Sequence, residues 1–307
     1  MKGIRMPPGK FSSIILIFTP SCSNMKKLFL SLILLATVAP GFAQADFNVF
    51  TFNIRLNTAS DSANAWPYRK DFAASQILFH EADIVGVQEA FYGQLTDLKD
   101  RLPGYDHIGV GREDGKEAGE FSAILYNTNR FKLLQSATFW LAQNTSDTGA
   151  KGWDAAITRI MTWAKFQDKK TKKQFYFFNT HFDHRGKEAR KQSALLVLKK
   201  VNEIAGKSPA IVTGDFNAAP GDEPIRIITD PQNPLRLTDA KQVSAKPHYG
   251  PTGTFTGFTS KEVSDQPIDY VFVKNGVQVL KHATLSQTWG GRFSSDHFPV
   301  MASLRIK

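Results

Sequence analysis

The sequence predicts an α/β fold: a four-layered α/β sandwich in which two packed, mainly antiparallel β-sheets are flanked by helices. Three observations predict it. Strand-length runs rich in β-branched and aromatic residues outnumber helical ones. Several helical stretches fall between successive strands, so their apolar faces need a sheet to cover. Some neighbouring strands are joined by short turns, as at 169–173, and neither GxGxxG nor GxxxxGKS/T occurs, which argues against a doubly wound nucleotide-binding sheet.

Taken in order, the chain opens with two segments set apart from this pattern. From Met25 it reads MKKLFLSLILLATVAPGFAQA: Lys26 and Lys27, an apolar run to Val38, then small residues at Ala43 and Ala45. That is the layout of a secretory signal peptide over 25–45, and its apolar run is shorter than the roughly 20 residues that span a bilayer. Residues 1–24 read as an upstream extension from a mis-assigned start. Lipidation of Cys22 is the minor alternative, and Thr19, Pro20 and Ser21 before it suit that poorly. Cys22 is the only cysteine, so an exported chain from Asp46 onward has no disulfide and depends on its core.

Residues 46–307 fit one domain better than two, with no linker, repeat or low-complexity tract. Removing 1–45 takes away five basic side chains and no acidic one, so the net charge falls from +10 to +5. That excess suits a phosphate-bearing substrate without demanding nucleic acid. The strand-length runs are 47–52, 83–87, 105–110, 121–126, 158–166, 174–179, 210–213, 268–273, 277–285 and 300–306. Helical stretches cover 69–80, 92–102 and 187–205. In the last, Leu195, Leu198, Val201 and Ile204 share a face and Gly206 is the stop. Lys169, Lys170, Lys172 and Lys173 read as a solvated hairpin turn.

Six apolar runs carry groups able to bind metal or phosphate at their ends: FTFNIR (Asn53), DIVGVQEA (Glu89), FFNTHFDH (His181, Asp183), IVTGDFNAAP (Asp215, Asn217), PIDYVFV (Asp269, Tyr270) and SSDHFPV (Asp296, His297). Charge is costly inside a buried strand, but strand ends opening onto a cleft commonly carry catalytic groups. Phosphodiesters resist water because the incoming oxygen meets negative charge. Their hydrolysis needs a cation, a group to activate water and one to stabilise the leaving oxygen. Oxygen donors of this kind suit Mg²⁺, with Mn²⁺ as the substitute; a thiolate zinc site has no cysteine to use, and HExxH is absent.

Together and in this order, the motifs resemble the endonuclease/exonuclease/phosphatase superfamily of DNase I-like, Mg²⁺-dependent phosphoesterases. The likeness covers nearly all of 47–306, and the TFWL…KGWDAA…R and NTHFDH…EAR segments are similar to uncharacterised secreted bacterial members. The resemblance implies that Glu89 is the main metal ligand, with Asn53 beside it on metal or phosphate and Asp296 as a further ligand. It implies that Asp215 and Asn217 orient and deprotonate the attacking water. His297 would contact the phosphate, as base or charge stabiliser, oriented by Asp269. His181 would touch phosphate or protonate the leaving group. Plainer readings stand beside these: turn caps for Asp269 and Asp296, a strand-end backbone partner for Asn53, an Asx turn for Asp215 with Asn217, and a structural His181.

Further substrate contacts are expected from Arg159, whose guanidinium can grip phosphate bidentately, and from Asp183 and His184, although ion pairs explain these equally well. Arg112, Glu120 and Tyr126 flank the polar, Gly-rich loop 109–119 as specificity candidates. Phe139, Trp140, Trp153 and Trp163 could stack on bases, hold sugars or pack as core, with core the stronger reading for Trp163. His80, His107 and His282 lie outside the motifs, and His248 with Tyr249 sits in a loop that could border the substrate.

The expectation is a secreted or periplasmic, metal-dependent phosphoesterase using activated water, and a nuclease (endo- or exonuclease) first. The alternative is a phosphatase or phosphodiesterase on small molecules or lipids, such as phosphosugars, inositol phosphates or sphingomyelin. An inactive binding module predicts the loss of an essential side chain, and none is lost; a carboxylate-pair glycosidase would not need the histidines. The implied partner is a phosphate-ester substrate, with nucleic acid among the options. No stable protein partner and no transmembrane anchor after leader removal are implied, and the protein is expected to be a monomer.

Overall fold

Twelve strands and four α-helices are defined among the described residues of the computed structural model, 45–259 and 264–307. The expected upstream extension, Cys22 and nearly all of the expected leader fall in 1–44, outside the described residues. β1 (Phe47–Asn53) leads through two 3₁₀ turns to α1 (Lys70–Phe79), β2 (Ala82–Ala90), α2 (Tyr92–Arg101), β3 (Tyr105–Ile108) and β4 (Phe121–Asn127). Then come β5 (Phe131–Trp140), β6 (Ile160–Asp168), β7 (Gln174–His181), α3 (Lys187–Ala205), β8 (Ala210–Asp215) and α4 (Glu223–Thr229). β9 (Thr238–Asp239), β10 (Asp269–Lys274), β11 (Val277–Thr284) and β12 (Val300–Ile306) complete the chain.

The strands form two six-stranded sheets, ordered β11-β12-β1-β2-β4-β3 and β5-β6-β7-β8-β10-β9. At the centre of each lies one parallel pair, β1 with β2 and β7 with β8. The remaining ladders are antiparallel. A parallel pair needs a crossover, supplied by the segment containing α1 in the first sheet and by α3 in the second.

Alternation along the strands then sets the layers. Phe47 and Val49 of β1 face Phe175 and Phe177 of β7 and Val271 of β10 between the sheets. Phe50 and Phe52 point outward to Ala73 and Ile77 of α1 and Leu95 and Leu98 of α2. On the far side, Phe178, Val212 and Phe272 pack under Val197 and Val201 of α3 and Ile225 of α4. Each large apolar side chain buried in this way contributes about 1.5–3 kcal/mol. This is the expected helix–sheet–sheet–helix sandwich.

Differences from the sequence reading have local causes. β5 was not expected. It is an edge strand whose centre, from Lys132 to Thr138, is largely solvent-facing, so it carries no apolar alternation. α4 has seven residues with Pro224 in its first turn, and β9 has two, both too short to register as periodicity. The buried face of α3 is Ala194, Val197, Leu198, Val201 and Ala205. Leu195 is 42% exposed, so the expected face is rotated by one position. The lysine-bearing turn is a hairpin, closed by Asp168 and Lys173 backbone bonding at 2.9 Å.

Candidate active site

Between the sheets, polarity rises along each central strand. The inward residues are Phe47, Val49, Thr51 and Asn53 on β1, then Phe175, Phe177, Asn179 and His181 on β7, then Ile211, Thr213 and Asp215 on β8. β10 runs the other way, so Asp269 is its first residue and Val271 and Val273 follow it inward. Apolar residues fill one end of the gap, neutral hydrogen-bonding residues the middle, and ionisable ones the carboxyl end of the parallel strands. That end is where ligands bind in sheets with this arrangement.

The middle tier was not anticipated. Gln88 Nε2 donates to Asn179 Oδ1 at 2.6 Å and to Thr51 Oγ1 at 3.1 Å, joining the two sheets. Thr213 Oγ1 donates to the same Asn179 oxygen at 3.0 Å. Asn179 Nδ2 donates to the Val87 and Ala123 carbonyls, each at 2.8 Å. All four side chains are fully buried, and Asn179 carries the bonds across the gap, so the tier is a bonded floor in which only Gln88 Oε1 lacks a partner among the described residues. The signal was present: Thr51, Asn179 and Thr213 each stand two positions before a site residue, inside an otherwise apolar run.

Backbone strain marks the tier above. Arg55, Glu89 and Asn217 are non-glycine residues with positive φ, at 55°, 60° and 47°. Such residues persist only where the surroundings over-determine them, and they gather at functional sites. At Glu89 the cause is visible, because the β2–β4 register shifts between Val87 and Ala90. The bulge turns Glu89 towards the cleft one residue after the inward-facing Gln88.

Asn53, Glu89, Asp215, His297, Asp269, His181, Asn217 and Asp296 are brought together. Asn53 Nδ2 lies 3.0 Å from both Glu89 Oε1 and Asp215 Oδ2, while its Oδ1 accepts from Arg55 N at 3.0 Å. In this geometry Asn53 Nδ2 donates to the two carboxylates, so the amide stands directly beside Glu89, the expected metal ligand. Asn217 Nδ2 lies 3.0 Å from His181 Nε2 and donates to Phe182 O at 3.1 Å. His297 Nδ1 lies 2.9 Å from Asp269 Oδ2, and its Nε2 is 3.8 Å from Asp215 Oδ2. The Tyr270 hydroxyl donates to Ala218 O and Pro267 O, tying the GDFN loop to the start of β10.

Two loops hold the SDH segment. Thr256 bonds the Asp296 carbonyl through both N and Oγ1, and Phe255 packs its ring edge-on to His297 at 5.1 Å. Arg69, buried, bonds the carbonyls of Ile54, Arg55 and Ser294. Arg55 reaches Glu89 Oε2 at 3.7 Å and Asp296 Oδ2 at 3.8 Å, and Asp61 grips it bidentately at 3.1 Å. Arg55 and Phe255 are lining residues that sequence reasoning missed; Arg55 stood within the FNIR motif.

Burial and neighbours set the charge states. Burial, then the Asp269 charge, push the Asp215 carboxyl up to about 7, against the opposing pull of His297 and Asn53. Burial alone would lower the His297 imidazole, but Asp269, Asp215 and Asp296 together raise it. His181 is driven well down, by burial first and then by the positive charge of Arg159 and Arg112. Burial raises Asp296. Two groups with shifts in opposite directions around one cleft are what proton-transfer chemistry requires.

The donor chemistry fits a hard divalent cation. Glu89, His181 and Asp215 each bring a ligand atom within 4.8 Å of the others, and Glu89 and Asp296 face a common point now bridged by Arg55. Oxygen ligands with one imidazole suit Mg²⁺ or Mn²⁺.

The outer candidates divide. Arg159, Glu120 and His184 line the same cavity of ≈430 Å³ as the residues above. Arg112 pairs bidentately with Glu120 at 2.7 and 2.8 Å and sits behind it. Asp183 accepts from the backbone of Arg185 and Gly186 at 2.9 and 2.7 Å, bonds that outweigh burial and bring its carboxyl down to about 2. It serves the loop entering α3 and not the cavity. Tyr126 is a correction. It lies at the other end of β4 from the cleft, opposite Ile84, with its ring against Phe166, because the β4 strand carries it away from the loop it follows. Phe139, Trp140 and Trp163 are core, and only Trp153 is partly exposed. His248 and His282 face each other outside the cavity, with Nδ1 atoms 2.9 Å apart.

Comparison with known proteins gives the following. The model described as Endonuclease/Exonuclease/phosphatase family matches residues 50–297. A Bacteroides vulgatus endonuclease/exonuclease/phosphatase structure is 44% identical with TM-score 0.82, covering 86% of this chain and 100% of that one. A mannosyl-6-phosphatase from Bacteroides thetaiotaomicron is 38% identical with TM-score 0.80, covering 84% of this chain and 99% of that one. The CCR4-Not complex 3′-5′-exoribonuclease subunit Ccr4 of Mycosarcoma maydis is 22% identical over 343 residues, 86% of this chain and 51% of that protein. The chain spans 63% and 38% of the length of two further curated relatives, both uncharacterised mimivirus proteins.

Proposed function

The chain belongs to the endonuclease/exonuclease/phosphatase family, and we propose that it is an exported, Mg²⁺-dependent phosphatase acting on small phosphorylated sugars or similarly polar monoesters. The observation that carries this reading is the cavity itself. At ≈430 Å³ it is matched to one small ligand, and ionisable groups converge at one end while Leu56, Ile157, Phe255 and Ile268 form apolar parts of its wall. Similarity to the mannosyl-6-phosphatase over almost all of both domains supports the same choice. Export rests on the leader-like layout from Met25. Among the described residues no helix is long and apolar enough to cross a membrane.

In this reading Asp215, oriented through Asn217 N and Asn53 Nδ2, takes the proton of the attacking water, and its raised pKa suits a base near neutral pH. His297, kept protonated by Asp269, donates to a phosphate oxygen. His181, held neutral, contacts the phosphate, and as the P–O bond breaks the departing alcohol oxygen takes a proton from solvent water in the open cavity. Glu89 with Asp296 would hold the cation, which when bound supplies Lewis-acid neutralisation of the phosphate. The nuclease expectation stands second, supported by the Ccr4 relative at 22% identity.

The test is a substrate panel with the purified protein, with and without EDTA: hexose phosphates, p-nitrophenyl phosphate, bis(p-nitrophenyl) phosphate, poly(A) and single-stranded DNA. Inorganic phosphate released from hexose phosphates, and lost with EDTA, is the expected result. Preferential cleavage of poly(A), DNA or the diester would replace this reading with the nuclease one.

A further inference from the structure

Arg159 is 4% exposed, and of its guanidinium nitrogens Nε and Nη1 make no hydrogen bond. Among the described residues its one hydrogen bond is from Nη2 to His184 Nδ1, at 3.1 Å. A guanidinium has five N–H donors and no acceptor, so the imidazole must offer a lone pair at Nδ1. His184 is therefore neutral, and its single ring proton is on Nε2. Protonation would set N–H against N–H, and burial with the Arg159 charge opposes it.

The arrangement is fixed from behind. Arg159 Nε lies 3.5 Å from Asp183 Oδ2, and Asp183 is itself held by backbone N–H groups of Ile157, Arg185 and Gly186. In front, His184 is exposed and lines the cavity together with Ile157 and Glu120. Its Nε2 bonds to no protein group among the described residues. A buried arginine that leaves two nitrogens unbonded to orient an exposed ring costs stability, as groups placed for a ligand do.

We propose that His184 is a specificity-determining residue whose Nε2–H, set by Arg159 at Nδ1, donates a hydrogen bond to a hydroxyl of the substrate's leaving group. Arg159 is its positioning residue. The inference rests on the phosphatase reading for its substrate, but the imidazole state does not depend on that reading. A hydroxylated leaving group gains the contact, whereas the p-nitrophenyl group carries no hydroxyl beyond the ester oxygen itself. A direct hydrogen bond of this kind is worth on the order of tenfold in selectivity.

The experiment has two arms. In ¹⁵N-histidine NMR of the full protein, the resonance pair missing from H184Q identifies His184. It should show an unprotonated Nδ1 and a protonated Nε2 throughout pH 6–8, and R159M should convert it to a mixture of tautomers. In kinetics, the ratio of kcat/KM for hexose 6-phosphate to that for p-nitrophenyl phosphate should fall on the order of tenfold in H184F. In H184Q, whose amide N–H₂ replaces the Nε2 donor, most of the ratio should return. A protonated Nδ1, an unchanged ratio in H184F, or equal loss in H184F and H184Q would overturn the proposal. If no phosphomonoester is hydrolysed at all, the phosphatase reading fails, and the NMR arm still decides the Arg159–His184 relationship.

Discussion

Nδ1 of His297 lies 2.9 Å from Oδ2 of Asp269, and both side chains are almost wholly buried. The contact joins the two sheets at the reactive end, because His297 precedes β12 in the first and Asp269 opens β10 in the second. Asp269 stands opposite Asp215 in the β8–β10 ladder, which puts the imidazole between two carboxylates. A carboxylate only accepts, so Nδ1 carries a proton and Nε2 is directed at the cleft.

Replacing Asp269 by Asn should therefore be severe. The amide can donate to Nδ1 and select the opposite tautomer, and it no longer supports a protonated ring. We expect kcat to fall by about 10²–10⁴ while the melting temperature changes by only a few degrees. A kcat within threefold of wild type would remove His297 from the chemistry.

Cation binding should be measurable without turnover. Glu89, Asp215 and Asp296 line one cleft with Asp269 behind Asp215, and the repulsion among them is what a divalent cation relieves. Saturating Mg²⁺ or Mn²⁺ should raise stability by about 2–3 kcal/mol at a hundredfold excess over Kd, read as a rise in melting temperature. The E89Q variant should lose most of that rise while its metal-free form melts no lower than wild type. An equal rise in both proteins would exclude Glu89 as a principal ligand.

The buried polar floor predicts an unusually costly asparagine. Asn179→Ala takes the side-chain donor from the Val87 and Ala123 carbonyls and the 2.6 Å acceptor from the Gln88 amide, all in the core. The loss should be about 3–5 kcal/mol. Gly86→Ala attacks the same place from the other sheet, since an added Cβ would overlap Thr213 Oγ1 and Asn179 Oδ1. It should cost about 1–3 kcal/mol or more. Urea unfolding of both variants checks this, and a loss below 1 kcal/mol in each would show that the gap relaxes freely.

Acid stability should depend on His282. His248 Nε2 lies 3.0 Å from the Pro251 carbonyl, so that nitrogen carries the proton and its Nδ1 accepts from His282. Burial, then the charges of His248 and Lys241, hold His282 down at about 3. Between pH 6.5 and 3 the unfolded chain takes up a proton that the folded chain refuses. Stability from this group is thus fully present above 6.5 and falls by up to about 1.4 kcal/mol per pH unit below it. In H282Q the acid limb of stability against pH should flatten by that slope; parallel curves for the two proteins would contradict it.

Much of the site was legible because each motif residue ends a run whose length and composition already spell a strand. Asp215, Asp269 and His297 needed no tertiary information to be singled out. The floor was less visible: Asn179 and Thr213 read as ordinary polar residues until the second sheet is laid over them. Tyr126 failed for the opposite reason. It stands six positions from Glu120 in sequence, and a strand rising about 3.3 Å per residue removes it from the cleft. The edge strand β5 was missed because a strand with one open side has no need of alternating apolar residues.

The pairing of β1 with β12, Phe47 opposite Leu304, places the first and last strands side by side at the heart of one sheet. They stand far apart in the sequence. Without β12, β1 lacks one neighbour and His297 has no strand to seat it, so a chain cut short of Val300 should not assemble the site.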